Sequence, residues 1–226
     1  MICSIGTMLK PFNSPLDNST QPVSQAPTKQ FTRAVDQLIV RDQDLALIVE
    51  RWGRPKQMLR SPGFATLLRI ILGQQVSLSA AASIFKRLQD QLPELTPINF
   101  LSLEAEQLKA IGFSRQKINY AQALAQAIVK QELDLDNLPE LTNEEIRSKL
   151  IKIKGIGDWT VDMYLMTALQ RLDIFPSKDL AVAVAAQEIK GLINRPQQRE
   201  LELIAEPWRP YRSVATMILW HHYLNR

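Results

Sequence analysis

The sequence predicts an all-α protein, and three observations lead to this prediction. First, aliphatic residues and alanine dominate a hydrophobic fraction of 46%, whereas aromatic residues make up 7% and 226 residues include 8 glycines. This composition favours packed helices over a β-sandwich or barrel. Second, apolar residues recur at intervals of three and four positions, which is typical of one buried helix face. Third, capping residues precede several of these segments, most clearly in the capping box Thr142-Asn-Glu-Glu145.

The predicted elements run from a flexible tail to a C-terminal helix. The tail comprises residues 1–29, which are rich in Ser, Thr, Pro, Gln and Asn and bury too little apolar surface to become ordered. Helices are predicted at 31–40, 45–52, 61–72, from 77 onward, and at 97–101, 103–110, 115–131, 142–154, from 159 onward, and at 180–190, 196–205 and 210–224. The expected capping or opening residues are Asp42 or Asp44, Ser61-Pro62, Ser77, Ser114, Thr142 and Asp179.

Residues 150–180 contain the most distinctive pattern. An apolar segment ends at Lys154, Gly155 and Gly157 follow, and a second apolar segment begins at Trp159, which predicts two helices joined by a tight turn. Glycines spaced in this way permit positive φ and leave the turn without side chains, so that successive backbone N–H groups can face an anion such as a phosphate. Gly-Ile-Gly on its own also fits a helical hairpin whose glycines only allow close packing.

Four segments carry a family resemblance: Leu68–Ala81 (LRIILGQQVSLSAA), Ile153–Met163 (IKGIGDWTVDM), Asp173–Leu180 (DIFPSKDL) and Trp208–Trp220 (WRPYRSVATMILW). Together they resemble the helix-hairpin-helix DNA glycosylase superfamily, and within it the alkylbase branch of the 3-methyladenine DNA glycosylase II type. The signature of that family is a glycine hairpin, a turn containing proline, and an aspartate that opens the next helix. Pro176 and Asp179 supply the last two parts, and the resemblance covers residues 64–220.

The resemblance implies an architecture of two helical lobes. A DNA- and base-binding cleft would lie between them, with the hairpin at its mouth. The central helical domain would comprise residues 61–171 and end with the hairpin. The second lobe would combine residues 30–60 with 172–226, and the tail would occupy 1–29.

Asp179 is the candidate catalytic residue. Cleavage of an N-glycosidic bond in DNA leaves positive charge on the sugar as the base departs. An ionised carboxylate beside that carbon stabilises the charge and orients or deprotonates the attacking water. The resemblance places Asp179 in this role. Asp179 also suits an ordinary N-cap of the helix that begins at Leu180, and the two roles are compatible because capping would fix the rotamer of the carboxylate.

Trp159 bears on the type of reaction. Relatives that also cut the DNA backbone carry a lysine two residues after the second hairpin glycine, where it acts as a Schiff-base nucleophile. An indole cannot form an imine, so the resemblance implies base removal without strand cleavage. Trp159 and Trp220 match aromatic residues of the base pocket, whose faces attract a positively charged alkylated purine; packing in an apolar helix is the alternative for Trp220. Lys154 and Lys178 are nearby amines for which we expect electrostatic contacts with phosphate.

The resemblance also implies a set of DNA-contacting residues: Gln75, Lys154, Gly155, Ile156, Gly157, Thr160 and Lys178. Gln75 occupies the position that enters the duplex and fills the gap left by an extruded nucleotide; a helix-end glutamine bonded to loop carbonyls is the alternative. A monovalent cation, Na+ or K+, held by the backbone carbonyls of Ile151, Ile153 and Ile156 is a feature of the family. No redox or organic cofactor is expected.

Several other classes of site are excluded or disfavoured. Cys3 is the only cysteine, which excludes a disulfide or a cysteine-ligated metal cluster within the chain. His221 and His222 are adjacent on one helix, face different directions and are expected to be structural. Asp162 is expected either to support a neighbouring site residue or to be structural. Asp158 would repel a phosphate at the hairpin unless its side chain points away.

The sequence contains no run of about 18 apolar residues, the length that a membrane span requires, and we expect an intracellular protein.

The sequence-based hypothesis is a monofunctional DNA glycosylase that flips out alkylated purines, of the 3-methyladenine and 7-methylguanine type, and hydrolyses their glycosidic bond in base excision repair. Its partner would be double-stranded DNA containing alkylated bases, and a net charge of +4 with a pI near 9.2 is compatible with that polyanion. We expect a monomer without membrane contact. Two alternatives stay open: a hairpin DNA-binding protein without catalysis, and a bifunctional glycosylase and lyase.

Overall fold

The computed structural model describes residues 26–226, so most of the predicted tail lies outside the described residues. Within this range the chain forms twelve α-helices, two short 3₁₀ helices and no β-strand, which confirms the predicted all-α class. The α-helices are α1 (Lys29–Arg41), α2 (Gln43–Trp52), α3 (Phe64–Gly73), α4 (Leu78–Gln91), α5 (Pro97–Leu101), α6 (Ala105–Ile111), α7 (Arg115–Val129), α8 (Asn143–Leu150), α9 (Asp158–Thr167), α10 (Leu180–Ile189), α11 (Gln198–Ala205) and α12 (Arg212–Asn225). The 3₁₀ helices span Leu138–Glu140 and Glu206–Trp208.

Side-chain caps begin many of these helices, as the sequence predicts. Asp42 caps α2 by accepting hydrogen bonds from the backbone N–H groups of Asp44 and Leu45, at 2.9 and 3.1 Å. Ser77 and Ser114 cap α4 and α7. Capping satisfies N–H groups that have no partner inside the helix, and each cap stabilises its helix by about 1 kcal/mol. Local chemistry therefore fixes where these helices begin.

Some predicted boundaries are wrong by a few residues, and the backbone shows why. The third helix begins at Phe64 rather than at Ser61-Pro62, because Gly63 adopts a φ of +131°, which a helix cannot accommodate. The helix predicted to continue to Gln131 ends two residues earlier, since Gln131 has a φ of +59°. The last helix begins at Arg212 rather than at Pro210, because its N-cap Tyr211 has a φ of −124° and a ψ of 29°, outside the helical region.

The buried apolar side chains form two clusters. The first, called the hairpin core, draws on helices α3 to α9 and includes Leu68, Phe100 and Tyr164 among its fully buried members. The second, called the terminal core, draws on α1, α2, α10, α11 and α12, with Leu38 and Trp208 among its buried members. Each large side chain buried in this way contributes about 1.5–3 kcal/mol to stability. The N-terminal and C-terminal helices thus pack together, although most of the chain separates them in sequence.

The helices between residues 26 and 226 include none whose length and apolar character would carry it across a membrane. Their buried faces are instead accounted for by the two cores.

Candidate active site

The hairpin joins α8 to α9 through residues 151–157. Two backbone hydrogen bonds tighten this turn: the N–H of Ile153 donates to the carbonyl of Leu150 at 3.1 Å, and the N–H of Ile156 donates to the carbonyl of Ile153 at 3.0 Å. Gly155 has a φ of +92°, which residues with a Cβ rarely adopt. A Cβ at this position would lie 2.1 Å from the Cγ atom of Tyr120. The close-packing role of the hairpin glycines is therefore real at Gly155.

Gly157 differs from Gly155. Its φ is −109°, in the extended region open to any residue, and a Cβ there would meet no other atom within 4 Å. Gly157 is the N-cap of α9 and brings no side chain to cap it. Because the first N–H groups of a helix lack internal partners and carry a partial positive charge, this end of α9 is open to an anion.

Two adjacent glutamines at the end of α3 have different roles. The Nε2 group of Gln74 donates to the carbonyl of Gly155 at 2.8 Å and to the Thr160 hydroxyl at 2.9 Å, so it ties α3 to the hairpin. Gln75 has a φ of +55° and is exposed, and within residues 26–226 its side chain makes no hydrogen bond. The helix-end glutamine bonded to a loop carbonyl is thus Gln74, which the sequence reasoning missed, while Gln75 stays available to a partner.

A polar cavity of about 430 Å³ lies beside the hairpin. Its lining comprises Gln74, Gln75, Val76, Ser114, Gln116, Lys117, Tyr120, Gly155, Ile156 and Gly157. This lining contains no carboxylate. Lys117 is 9% exposed, and its ammonium donates to the carbonyl of Leu72. The cavity does not reach Asp179, so it belongs to the surface around the hairpin rather than to the carboxylate.

The carboxylate of Asp179 accepts three hydrogen bonds. Its Oδ1 atom accepts from the backbone N–H of Val182 at 3.0 Å, which makes Asp179 the N-cap of α10. Its Oδ2 atom accepts from the indole N–H of Trp159 at 2.8 Å, and Oδ1 also accepts from the indole N–H of Trp220 at 3.2 Å. Three N–H donors suit a group that only accepts, and they fix the rotamer. The carboxylate is half-buried and has no ion pair within the described part of the chain.

Both tryptophans are half-buried, and they come from different parts of the fold. Trp159 is the second residue of α9 and packs against the hairpin core. Trp220, in α12, packs against both cores. Packing and a place beside the carboxylate therefore coexist at Trp220. The structure brings together Trp159, Trp220 and Asp179 where the two cores meet.

Asp158, in the first turn of α9, forms ion pairs with two cations. Asp158 accepts from Arg147 at 3.1 Å and from Lys178 at 2.6 Å, so its carboxylate points to cations instead of the hairpin amides. Hydrogen bonding to Lys178 lowers the pKa of Asp158, and the same bond raises the pKa of Lys178. Lys154, in contrast, is exposed and makes no ion pair within residues 26–226. The charge of Lys178 is therefore balanced, and that of Lys154 is not.

Asp162 lies one turn along α9 and is 7% exposed. Burial raises the pKa of Asp162 to about 6, even though Arg147 donates a hydrogen bond to its carboxylate. Its contacts are structural, which is one of the two roles expected from the sequence. His221 and His222 also have structural partners, the carbonyl of Trp52 and the carboxylate of Glu188, each at 3.0 Å.

The carbonyls proposed to hold a cation fit that role in their chemistry. Ile151 is the C-cap of α8, and Ile156 immediately precedes Gly157. Among the described residues, the carbonyls of Ile151 and Ile156 accept no hydrogen bond, whereas that of Ile153 accepts one from Ile156. Carbonyl oxygens with free lone pairs are suitable ligands for a hard cation such as Na+ or K+. The cation itself stays a prediction.

A glycine turn that opens a helix N-terminus, next to an aspartate held by two tryptophans, defines a helix-hairpin-helix protein with a carboxylate site. The chain belongs to the HhH-GPD superfamily of base excision DNA repair proteins, and the match to this family spans residues 68–210. This confirms the superfamily expected from the sequence.

Two relatives from Schizosaccharomyces pombe illustrate the similarity. The chain is 30% identical over 200 residues to the alkylbase DNA glycosidase-like protein mag2, a match that covers 84% of this chain and 92% of the relative. It is 31% identical over 199 residues to DNA-3-methyladenine glycosylase 1, covering 84% of this chain and 86% of the relative. A solved structure of the S. pombe 3-methyladenine DNA glycosylase Mag1 in complex with abasic DNA matches with a TM-score of 0.77 and 29% identity, over 83% of this chain and 95% of that one. The names of these relatives agree with the alkylbase branch.

The two hairpin glycines give a matched pair of substitutions. We expect Gly155→Ala to lower the free energy of unfolding by about 2 kcal/mol or more, because it combines an unfavourable φ with a clash against Tyr120. Gly157→Ala, at an extended and open position, should cost less than about 1 kcal/mol. Urea unfolding of both variants measures the difference. Equal losses would contradict the different constraints at the two positions.

The buried carboxyl of Asp162 predicts a pH dependence of stability. Its pKa is about 6 in the folded protein against 3.8 in an ordinary setting, so the folded state binds more protons between these values and loses stability as pH rises through them. Relative to Asp162→Asn, which does not titrate, the wild type should lose up to about 3 kcal/mol of unfolding free energy between pH 4 and pH 7. Urea unfolding across this range tests it. A difference between the two proteins that stays constant with pH would contradict the raised pKa.

Proposed function

We propose that this protein is a monofunctional DNA glycosylase that flips alkylated purines out of double-stranded DNA and hydrolyses their glycosidic bond. The observation that carries this proposal is the carboxylate of Asp179. It is oriented by Trp159 and Trp220, it has no cationic partner within residues 26–226, and it lies where the two cores meet. The names and sequence similarity of the relatives support the same activity.

The chemistry follows from the unpaired charge of Asp179. As the glycosidic bond breaks, positive charge develops on the sugar, and a fixed carboxylate stabilises it without having to reorganise. A carboxylate that already formed an ion pair would have much of its field neutralised. The same group can orient or deprotonate the water that attacks the sugar. Hydrolysis of this kind needs no redox or organic cofactor, so we propose none.

Trp159 favours base removal without strand cleavage. Its indole nitrogen donates to Asp179 and cannot form an imine with the sugar. The electron-rich faces of Trp159 and Trp220 would suit the positive charge of purines alkylated on a ring nitrogen, such as 3-methyladenine or 7-methylguanine. That positive charge also makes the base a better leaving group. The two indole faces and the reaction would thus favour the same lesions.

The surface around the hairpin would bind the DNA backbone. The uncapped start of α9 offers N–H groups to a phosphate, and Lys154 adds an unbalanced positive charge. Gln75, which is exposed and free of internal hydrogen bonds within the described residues, would enter the duplex where the base has left. A Na+ or K+ ion on the carbonyls of the turn would add positive charge at the same place. We expect a monomer that works inside the cell, where its DNA substrate is.

The decisive variant is Asp179→Asn, which keeps a capping oxygen but removes the charge. We expect release of 3-methyladenine from methylated genomic DNA to fall by at least about 100-fold, because the loss of one transition-state partner commonly costs that much. Binding to duplex DNA should change little. Chromatography of the released bases and a gel-shift assay measure the two effects.

Asp42→Asn is the matched control for this experiment. Asp42 is also an N-cap that accepts an indole N–H, from Trp208 of the terminal core at 2.8 Å, but it is ion-paired with Lys190 at 3.0 Å. This control should lose stability and keep base release. Undiminished release by Asp179→Asn would refute the catalytic role. No release by the wild type, with duplex binding intact, would instead favour a DNA-binding protein without catalysis, and a borohydride-trapped covalent adduct would favour a lyase.

A further inference from the structure

Asp158 and Lys178 form a link that runs parallel to the one between Trp159 and Asp179. The Lys178 ammonium lies 2.6 Å from Oδ2 of Asp158. The residues that follow these two in sequence, Asp179 and Trp159, form the carboxylate–indole hydrogen bond at 2.8 Å. Two consecutive residues of α9 are thus bonded to two consecutive residues of the turn before α10. The Asp158–Lys178 pair therefore adds a link to the hydrogen bonds that Asp179 receives from Trp159 and Trp220, and a further link at the neighbouring residue restricts the motion of the turn relative to α9.

Arg147 fixes the hairpin end of this link. Its guanidinium donates to Asp158 at 3.1 Å and also to the buried carboxylate of Asp162, so it connects α8 to two successive turns of α9. Asp158 is therefore held from one side while it holds Lys178 on the other. The four side chains carry two positive and two negative charges, and the group is balanced as a whole.

The exposure of this link argues against a role in stability. The side chains of Lys178 and Asp158 are 52% and 47% exposed, and ion pairs at such positions add little to the stability of a protein. Placement of a reacting group is more demanding than stability, since small displacements change rates strongly. The link lies immediately beside Asp179, where it can affect the placement of that carboxylate.

We propose that Asp158 and Lys178 are positioning residues that hold the turn carrying Asp179 against α9, so that its carboxylate keeps its place beside Trp159. The kinetic part of this proposal rests on the proposed glycosylase function. The competing role for Lys178 is direct contact with a DNA phosphate, which would make it a binding residue instead.

The kinetic test uses single-turnover base release from methylated duplex DNA with enzyme in excess. Lys178→Met and Asp158→Asn should each lower the maximal rate by at least about fivefold, with little change in the enzyme concentration that gives half that rate. The double variant should be no slower than the slower single one, because both substitutions break the same link. Lys178→Arg should retain most of the activity. Lys86→Met is the control, since Lys86 forms a similarly exposed pair with Asp90 on α4, at 3.1 Å.

A second readout does not depend on activity. The chain has four tryptophans, so ¹H–¹⁵N spectra resolve their indole N–H groups and single substitutions assign them. Lys178→Met should shift the indole signal of Trp159 and leave that of Trp208, which donates to the distant Asp42, unchanged. These spectra also report whether each variant is folded.

The outcomes separate the possibilities. A raised half-saturating concentration with an unchanged maximal rate for Lys178→Met would overturn the proposal in favour of a phosphate contact. Additive losses in the double variant, or an unshifted Trp159 signal, would also overturn it. Absence of base release by the wild type would count against the proposed function alone, and the spectra would still decide whether the link holds Asp179.

Discussion

The hydrogen bond between the Trp159 indole and the Asp179 carboxylate is the contact on which the rest of the site depends. Trp159 packs with the hairpin core, whereas Asp179 begins a helix of the terminal core. The bond therefore crosses from one core to the other, and Trp220, which packs against both, donates to the same carboxylate at 3.2 Å. The position of the Asp179 carboxylate therefore depends on how the two cores are placed relative to each other.

The same chemical arrangement occurs a second time without the same consequence. Asp42 is an N-cap, accepts the indole N–H of Trp208, and is ion-paired with Lys190. Although burial alone would raise it, hydrogen bonds from Trp208 and Lys190 hold the pKa of Asp42 below its ordinary value. The negative charge of Asp42 is therefore balanced by Lys190 inside the fold. Asp179 has the cap and the indole donors but no cationic partner within residues 26–226, so under the proposed function its charge would be available to a substrate.

The start of α9 shows a similar division of roles among neighbouring residues. Gly155 packs against Tyr120, so it is required for close packing within the fold. Gly157 leaves the start of α9 without a side-chain cap, so the N–H groups there stay accessible at the surface. Asp158 would weaken anion binding if it faced the turn. Arg147 and Lys178 draw it away, and its charge is balanced before it can repel a phosphate. The hairpin can therefore carry an acidic residue next to its amides.

The local features of this protein can be predicted from its sequence, whereas the contacts between distant segments cannot. Capping at Ser114 and Thr142 depends on residues three positions apart, so the sequence contains the whole interaction. The bonds of Gln74 to Gly155 and Thr160 join residues more than 80 positions apart, and no local signal specifies them. Gln74 and Gln75 are identical in sequence and differ because only the second adopts a positive φ.

The contact between Asp158 and Lys178 was not predicted for the same reason, whereas Asp179 and Trp159 could be named as candidates because a family resemblance carries three-dimensional information that periodicity lacks. The resemblance could name these residues without giving their geometry. It did not show that the indole nitrogen, rather than only the ring face, contacts the carboxylate.

This geometry explains what a tryptophan at position 159 can do that a lysine cannot. In the lyase relatives, a lysine at this position provides the nucleophile. A protonated lysine beside Asp179 would also form an ion pair with it and reduce the field that the carboxylate exerts on a sugar cation. The neutral indole N–H of Trp159 orients Asp179 at 2.8 Å and leaves its charge in place. In the proposed reaction, Trp159 would thus exclude the covalent route and leave the Asp179 carboxylate free for the hydrolytic one, so the proposed chemistry follows from the pair rather than from Asp179 alone.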